Sequence, residues 1–258
     1  MSPSGLPERR RIVGTSLKCY FSLAQTAEYT RAIASLCPTA SALNIDLFFI
    51  PDFISISPCA TALAHSGVRL GAQDCFWEDR GAYTGEVSPA NLAEAGVKIV
   101  EVGHAERRQI FHETDKDVAR KAAAIVKNGM VPLVCIGEKT HASGPVSAAV
   151  GAAITECKPQ IKAVMDAVPD DAEVILAYEP VWAIGAMQPA NPDHVVAVVQ
   201  GLRGLVEGRR GLIRILYGGS AGPGTFKQLK SAVDGLFLGR FAHDINNLER
   251  VIQEMGEP

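Results

Sequence analysis

Four ionisable side chains of the sequence stand just beyond short apolar segments: Lys18, His104, Glu106 and Glu179. Their types suit proton transfer beside a carbonyl group. A carboxylate can remove the proton from carbon, while a histidine and a lysine can stabilise the negative charge that develops on the carbonyl oxygen. The four residues therefore predict an acid–base site, if the fold brings the ends of these segments together.

Glu179 is the candidate base because of the residues that follow it. It precedes the segment Pro180–Trp182, and a carboxylate set against an indole is partly desolvated, which raises its pKa and makes it a stronger base. Each residue also has a simpler interpretation when taken alone. Lys18 could be a solvated lysine, His104 a helix cap and Glu179 a surface acid, so the prediction depends on their occurring together.

Two glycine-containing turns near the end of the chain could bind an anion. Gly218, Gly219 and Ser220 follow one apolar segment, and Gly239 and Arg240 follow the next. Backbone N–H groups in such turns bind phosphate, and in α/β barrels the phosphate site usually lies after the last two strands. Glycine alone is weak support, since it often serves backbone geometry only.

The elements that would position these residues alternate along the whole chain. Segments that are apolar on both faces are typical of parallel strands covered on both sides. The predicted strands are Ile12–Leu17, Ile45–Ile50, Val68–Gln73, Val97–Val102, Val131–Ile136, Val174–Tyr178, Leu212–Tyr217 and Val233–Leu238. The predicted helices are Ser22–Leu36, a short one from Pro89, Ala119–Lys127, Val146–Val168, His194–Val206 with Asp193 as N-cap, Thr225–Ser231 and Asn246–Met255.

Eight strand–helix alternations in 258 residues predict the α/β class and a single (β/α)8 barrel, with eight parallel strands surrounded by helices. No G-x-G-x-x-G turn follows the first strand, which disfavours a doubly wound nucleotide-binding sheet. No linker divides the chain, so residues 1–258 are predicted to form one domain, with residues 1–10 as a flexible N-terminal extension. Active sites of such barrels lie at the C-terminal ends of the strands, where the candidate residues stand.

Composition disfavours several other functions. The net charge of −3 provides no basic field for nucleic acid or an anionic membrane. No apolar run suits a transmembrane helix and the N-terminus does not read as a signal peptide, so a cytoplasmic location is expected. The six cysteines include no C-x-x-C pair and are expected to be buried free thiols. An H-x-E sequence at residues 104–106 could suggest zinc, but without a cysteine pair at ligand spacing neither a metal nor a cofactor is predicted.

Six segments of the sequence resemble the triosephosphate isomerase family, in the family's order and spacing. They are Gly71–Cys75, Tyr83–Pro89, Val102–Arg108, Cys135–Glu138, Ala177–Gly185 and Tyr217–Ser220. The strongest is A-Y-E-P-V-W-A-I-G, which contains Glu179, followed by V-G-H-A-E-R-R, which contains His104 and Glu106. The resemblance covers nearly the whole chain. It implies an enzyme that interconverts glyceraldehyde 3-phosphate and dihydroxyacetone phosphate through an enediolate, without a cofactor.

The resemblance also implies a role for each candidate residue. Glu179 would shuttle the proton and His104 would polarise the carbonyl as a neutral electrophile. Lys18 would supply positive charge near the substrate, with Glu106 as a supporting acid beside it and His104. The segment Pro180–Ala190 would be a lid over the substrate. The phosphate would be bound by backbone N–H groups of three residues: Gly185, Ser220 and Gly239.

The sequence departs from the family pattern around the substrate. Ser16 stands where the family has an asparagine that contacts substrate, and Tyr20 replaces a second asparagine. Arg240 replaces the second glycine of the last turn, where it could bind phosphate bidentately or fill space. Pro189, in the second half of the lid, would stiffen the hinge.

These departures leave three functions open. The base, the histidine and the lysine are kept, so the first hypothesis is isomerisation of the triose phosphates. The alternative is a related ketose phosphate such as the four-carbon L-erythrulose 1-phosphate, because Ser16 and Arg240 alter the pocket walls but not the base. The third hypothesis, a barrel that binds a phosphorylated metabolite without catalysis, is disfavoured by the retention of Glu179, His104 and Lys18 together.

The segment Gln73–Pro89 is a long loop, and loops of this length are usually functional. In the family it reaches into a partner subunit. The resemblance therefore implies a homodimer, with Thr84 at the tip of the contact and Cys19 and Tyr20 near it. The alternative is a loop that packs only on its own surface.

Overall fold

The computed structural model describes residues 9–142, 145–185 and 190–257. Eight strands form its centre: β1 (Arg11–Ser16), β2 (Ile45–Ile50), β3 (Arg69–Ala72), β4 (Ile99–Val102), β5 (Val131–Ile136), β6 (Val174–Tyr178), β7 (Ile213–Tyr217) and β8 (Gly235–Leu238). They are parallel and neighbour one another in chain order, and β1 pairs with both β2 and β8. The barrel is therefore closed, and the predicted (β/α)8 architecture is confirmed.

Helices surround the barrel. Within the described residues they are α1 (Leu23–Ala42), α2 (Ile56–Leu63), α3 (Pro89–Glu94), α4 (Ala105–Ile110), α5 (Asp115–Lys127), α6 (Val146–Ala167), α7 (Pro192–Gly204), α8 (Thr225–Leu229) and α9 (Ile245–Gly256). Single 3-10 turns occur at Phe53–Ser55, Val181–Ala183 and Arg240–His243. The last two follow β6 and β8 directly, so they shape the ends of strands that carry candidate site residues.

Several helix boundaries differ from the prediction. Helix α1 continues past Leu36 and through Pro38, because its inner face stays buried as far as Ala40. Asp193 is not the N-cap of α7: the Asn191 side chain accepts from the Asp193 N–H, and Pro192 takes the first helical position, which suits its fixed φ. Helices α2 and α4 were not predicted, since eight and six residues are too few for a clear periodicity.

The side chains inside the barrel follow the alternation of each strand. The interior cluster contains Ile12, Phe48, Ile50, Ile99, Leu133, Ile175, Leu216 and Phe237, among others. Successive residues of a strand face opposite sides, so positions that lie two or four residues beyond these also point inward. Ser16 lies four residues beyond Ile12, Glu101 two beyond Ile99, and Glu179 four beyond Ile175. Three polar side chains therefore face the barrel axis near the C-terminal ends of β1, β4 and β6.

The N-terminal end of the barrel is held by ion pairs. Arg214 is only 1% exposed, and its guanidinium contacts Asp46 Oδ2 at 2.7 Å and also Glu173. The predicted flexible extension is described only at its last two residues. Both form ion pairs there, Arg10 with Asp46 at 3.3 Å and Arg9 with Asp234 at 3.7 Å, whereas residues 1–8 lie outside the described residues.

The cysteines match the prediction except at one position. All six are free thiols, and five are buried. Cys19 is exposed because it follows the end of β1 in the turn that carries Lys18. Among the described residues, none of the helices is both long and apolar enough to cross a membrane.

Candidate active site

The predicted ionisable residues meet at the C-terminal ends of β1, β4 and β6. Lys18 Nζ lies 2.6 Å from Glu106 Oε1. His104 lies between the two glutamates, with Nδ1 3.5 Å from Glu106 Oε2 and Nε2 3.5 Å from Glu179 Oε2. His104 and Glu179 are each 5% exposed, so both work in a site largely screened from water.

Lys18 is fixed by its backbone as well as by its side chain. Its φ of +49° is in the left-handed region that favours glycine, and its carbonyl accepts a hydrogen bond of 2.8 Å from Gln73 Nε2. Burial opposes the charge on Lys18, but the hydrogen bond and the attraction of Glu106, with smaller contributions from Glu179 and Glu101, raise its pKa overall. The residue is therefore a cation held at the mouth of the barrel.

His104 is a neutral hydrogen-bond donor. It caps the N-terminus of α4, where Nδ1 accepts the Glu106 backbone N–H at 3.2 Å. The proton of the neutral ring must then be on Nε2, which faces Glu179. Burial, followed by the charge of Lys18, lowers the pKa of His104, and Glu106 opposes this only in part. The contact with Glu179 is consequently not an ion pair.

Glu179 has the features of a general base. Burial, and then the charge of Glu101, raise its pKa to about 8, against the opposing effect of Lys18. Its carboxyl packs on Gly218, where a Cβ atom would lie 2.4 Å from Glu179 Oε1. Only glycine leaves room for the carboxyl in this position, so the turn after β7 has a packing role beside the proposed base.

The indole N–H of Trp182 has a partner other than Glu179. Trp182 Nε1 donates to Glu138 Oε1 at 2.8 Å, and Tyr178 Oη approaches the same oxygen at 3.2 Å. The predicted burial of Glu179 is observed, with 5% of the residue exposed. Trp182 instead ties the 3-10 turn after Glu179 to the end of β5.

Both ends of the predicted lid are anchored. At the first end, the Val181 N–H donates to the carbonyl oxygen of Glu138 at 2.9 Å, in addition to the bond from Trp182. At the second end, the Ala190 N–H donates to Tyr217 Oη at 3.2 Å. The centre of the lid, with Pro189, lies outside the described residues.

The residues predicted to bind phosphate lie at neighbouring strand ends. Gly185 is exposed with a φ of +72°, and Ser220 has a φ of +45° and donates from Oγ to the Ala183 carbonyl at 2.8 Å. Gly239 is exposed and precedes the 3-10 turn that begins at Arg240. The Arg240 guanidinium lies 6.0 Å from the centroid of the Tyr20 ring, so it projects over the turn after β1.

A family model described as triosephosphate isomerase matches residues 11–255. The chain belongs to the triosephosphate isomerase family. It is 41% identical to the L-erythrulose-1-phosphate isomerase of Pectobacterium atrosepticum, over 96% of this chain and 97% of that protein. It is 38% identical to the protein of the same name from Rhizobium meliloti, over 99% and 98%. It is 35% identical to the triosephosphate isomerase of Thermoanaerobacter pseudethanolicus, over 90% and 94%.

This member of the triosephosphate isomerase family has a second buried acid that the sequence analysis missed. Glu101 is 4% exposed and points into the barrel from β4. Burial raises its pKa to about 8, while the neighbouring side chains of Ser16 and Lys18 lower it. The sequence did contain an indication of this acid, because Glu101 lies inside the predicted buried strand Val97–Val102, and acids are rarely buried without a specific reason.

The loop after β3 is held by its own side chains. Phe76 packs on Tyr83 with ring centroids 4.6 Å apart, and the Phe76 N–H donates to the Val87 carbonyl at 2.8 Å. Asp74, at its base, is buried and contacts Lys121 Nζ at 2.8 Å. Thr84 is exposed near the tip. The predicted homodimer contact of Thr84 stays a prediction.

Proposed function

We propose that the protein is a sugar-phosphate isomerase in which Glu179 transfers a proton between two adjacent carbon atoms. The observation that carries this proposal is the pairing of a carboxyl of raised pKa with the Nε2–H of a neutral histidine, at 3.5 Å. A base with a pKa near the working pH combines a useful ionised fraction with a strong tendency to take the proton.

The reaction proceeds through an enediolate. Glu179 removes the proton from the carbon beside the carbonyl, and the electron pair of that bond moves toward the carbonyl oxygen. The His104 Nε2–H and the Lys18 ammonium stabilise the negative oxygen, and Glu106 holds Lys18 in place by the contact at 2.6 Å. Protonation of the other carbon by Glu179 completes the isomerisation. Neither step consumes an oxidant or a metal.

Phosphate binding is assigned to the strand ends beside the lid. Backbone N–H groups of Gly185, Ser220 and Gly239 would bind the phosphate oxygens, as helix and turn N–H groups commonly do. Arg240 would add a charged contact by moving from its position above Tyr20. Ser16 is buried at the end of β1, two residues before Lys18.

For the substrate, we infer a four-carbon ketose phosphate, L-erythrulose 1-phosphate. It corresponds to dihydroxyacetone phosphate with an additional hydroxymethyl group on the carbon that loses the proton, so the carbonyl moves from C2 to C3 and the product is a second ketose phosphate. Ser16 is a small, buried side chain at the end of β1 and makes room for this group. The relatives named L-erythrulose-1-phosphate isomerase, at 41% and 38% identity, support the same inference.

The triose phosphates are the second candidate, and they were the first hypothesis from the sequence. A relative named triosephosphate isomerase is 35% identical to this chain over most of its length. Measurement of kcat/KM for dihydroxyacetone phosphate and L-erythrulose 1-phosphate decides between the two. A preference of tenfold or more for the triose would overturn the four-carbon assignment, and no turnover of either would overturn the isomerase proposal.

We also propose a homodimer formed through the loop that carries Thr84. Tyr83, in the same loop, and Tyr20, in the turn after β1, are large exposed aromatic side chains. A partner subunit would cover them. Light scattering of the protein during turnover tests this assembly. A fully active monomer would contradict it.

A further inference from the structure

Glu101 lies across the centre of the barrel, beneath the proposed active site. Strands β1 and β4 are three places apart in the closed order of eight, so they are not neighbours and their inward side chains approach each other only within the barrel. The Glu101 carboxyl nevertheless neighbours the side chain of Ser16, on β1. A side chain of β4 that interacts with a side chain of β1 must extend into the middle of the barrel. It therefore forms part of the floor of the cavity in which Glu179 and His104 meet.

The polar atoms of this floor are not satisfied by the barrel. Neither Ser16 Oγ nor Glu101 Oε2 has a hydrogen bond of normal geometry among the described residues, although the two side chains are adjacent. Ser16 is 3% exposed and Glu101 4%, which is as open to the mouth as His104 and Glu179 at 5%. Buried polar groups almost always have partners, and these two have only each other at a poor hydrogen-bond geometry, which points to a polar group of the ligand as their partner.

Burial favours the neutral form of Glu101, against the opposing effects of the Ser16 hydroxyl and the Lys18 charge. Glu106 on α4, Asp74 after β3 and Glu179 after β6 are acidic neighbours, while Lys18 after β1 is the opposing cation and is already paired with Glu106. Burial raises the pKa of Glu101 to about 8. At neutral pH the carboxyl is then an acid that can donate one hydrogen bond and accept another.

We propose that Ser16 and Glu101 form a hydroxyl-binding floor that recognises the additional hydroxymethyl group of a four-carbon ketose phosphate. The hydroxyl of this group can donate one hydrogen bond and accept another. A neutral carboxylic acid beside a serine hydroxyl can likewise donate and accept, so the two sides match. A triose phosphate lacks this hydroxyl and leaves the buried acid unpaired. The inference rests on the proposed function, since it assigns the residues that select that substrate.

The test is a ratio of kcat/KM values, four-carbon over three-carbon, measured with L-erythrulose 1-phosphate and dihydroxyacetone phosphate. Glu101→Met removes the hydroxyl-binding group and keeps an unbranched side chain that suits the apolar barrel interior, and we expect the ratio to fall by about 10- to 100-fold, the loss of one buried hydrogen bond. Ser16→Ala should lower the same ratio by about 3- to 10-fold, as for a neutral hydrogen bond. Glu101→Gln, which keeps a donor and an acceptor, should retain more of the preference than Glu101→Met.

The design separates this inference from the proposed function. A wild-type protein that prefers the triose refutes the four-carbon function, and the floor with it, before any variant is made. If the wild type prefers the four-carbon ketose but Glu101→Met and Ser16→Ala leave the ratio within twofold, the floor alone is wrong. Glu207→Met, at an exposed position after α7, is the matched control for loss of a glutamate. Thermal unfolding of each variant identifies any that fails to fold, and Ser16→Ala then carries the test.

Discussion

The two ends of the barrel hold buried charges in opposite ways. At the N-terminal end, Arg214 lies between Asp46 and Glu173, and both carboxylates also contact a second arginine. At the C-terminal end, two buried acids, Glu101 and Glu179, neighbour each other, and the cation closest to them is already paired with Glu106. Complementary pairing stabilises the first end. At the second end burial, helped at Glu179 by the charge of Glu101, keeps protons on groups that a reaction can use.

The comparison predicts that Glu179 matters for rate and not for stability. Glu179→Gln removes the proposed base while keeping its size, and a positioned base contributes about 10²–10⁴-fold to the rate. We therefore expect kcat to fall by about that factor, with an unchanged or higher melting temperature, because a neutral amide is easier to bury than an acid that can ionise. Steady-state kinetics and calorimetry measure the two quantities. Activity close to wild type would remove Glu179 from the proton transfer.

Arg214 should show the reverse pattern. Arg214→Met removes a buried cation and leaves two carboxylates without their shared partner, and such a loss costs about 3 kcal/mol of unfolding free energy. Urea denaturation measures this change. The kcat/KM of the folded variant should stay within about threefold of wild type, because the residue is at the other end of the barrel. The matched control is Arg210→Met, whose exposed ion pair with Asp170 is screened by solvent and should contribute little to stability. Equal costs for the two variants would contradict the comparison.

The sequence could predict the site residues that stand outside apolar runs but not those that stand inside them. Strand positions followed from apolar runs, and the residues at strand ends followed from the rule that barrel sites lie there. Lys18, His104 and Glu179 could be named because each stands outside an apolar run. Glu101 stands inside one, and a single polar residue in a strand does not indicate which strand faces it across the barrel. The partner of Trp182 was equally hidden, since Glu138 is 44 residues away in the chain.

The acids of the C-terminal end predict how stability changes with pH. Both Glu179 and Glu101 have a pKa of about 8 in the folded protein, raised from 4.5 by burial first. Between these values the unfolded chain has released protons that the folded chain still binds, so the folded state loses stability as the pH rises from about 5 to 8. Glu179→Gln removes one of the two groups. Its melting temperature should therefore decline less steeply over this range than that of the wild type. Parallel declines would show that folding does not raise the pKa of Glu179.

Arg240 is expected to give the smallest effect. It is an exposed arginine at the C-terminal end of the barrel, whereas Arg214 is a buried arginine at the N-terminal end. Arg240 lies 6.0 Å from the Tyr20 ring centroid, and it follows the turn proposed to bind phosphate. Arg240→Met should raise KM by about 3- to 10-fold, the equivalent of one net hydrogen bond, with little change in kcat. The effect should shrink at high salt, since an exposed charge pair is screened. A fall in kcat without a change in KM would instead place Arg240 against the reacting carbons. If neither kcat nor KM changed, the Arg240 charge would have no part in substrate binding.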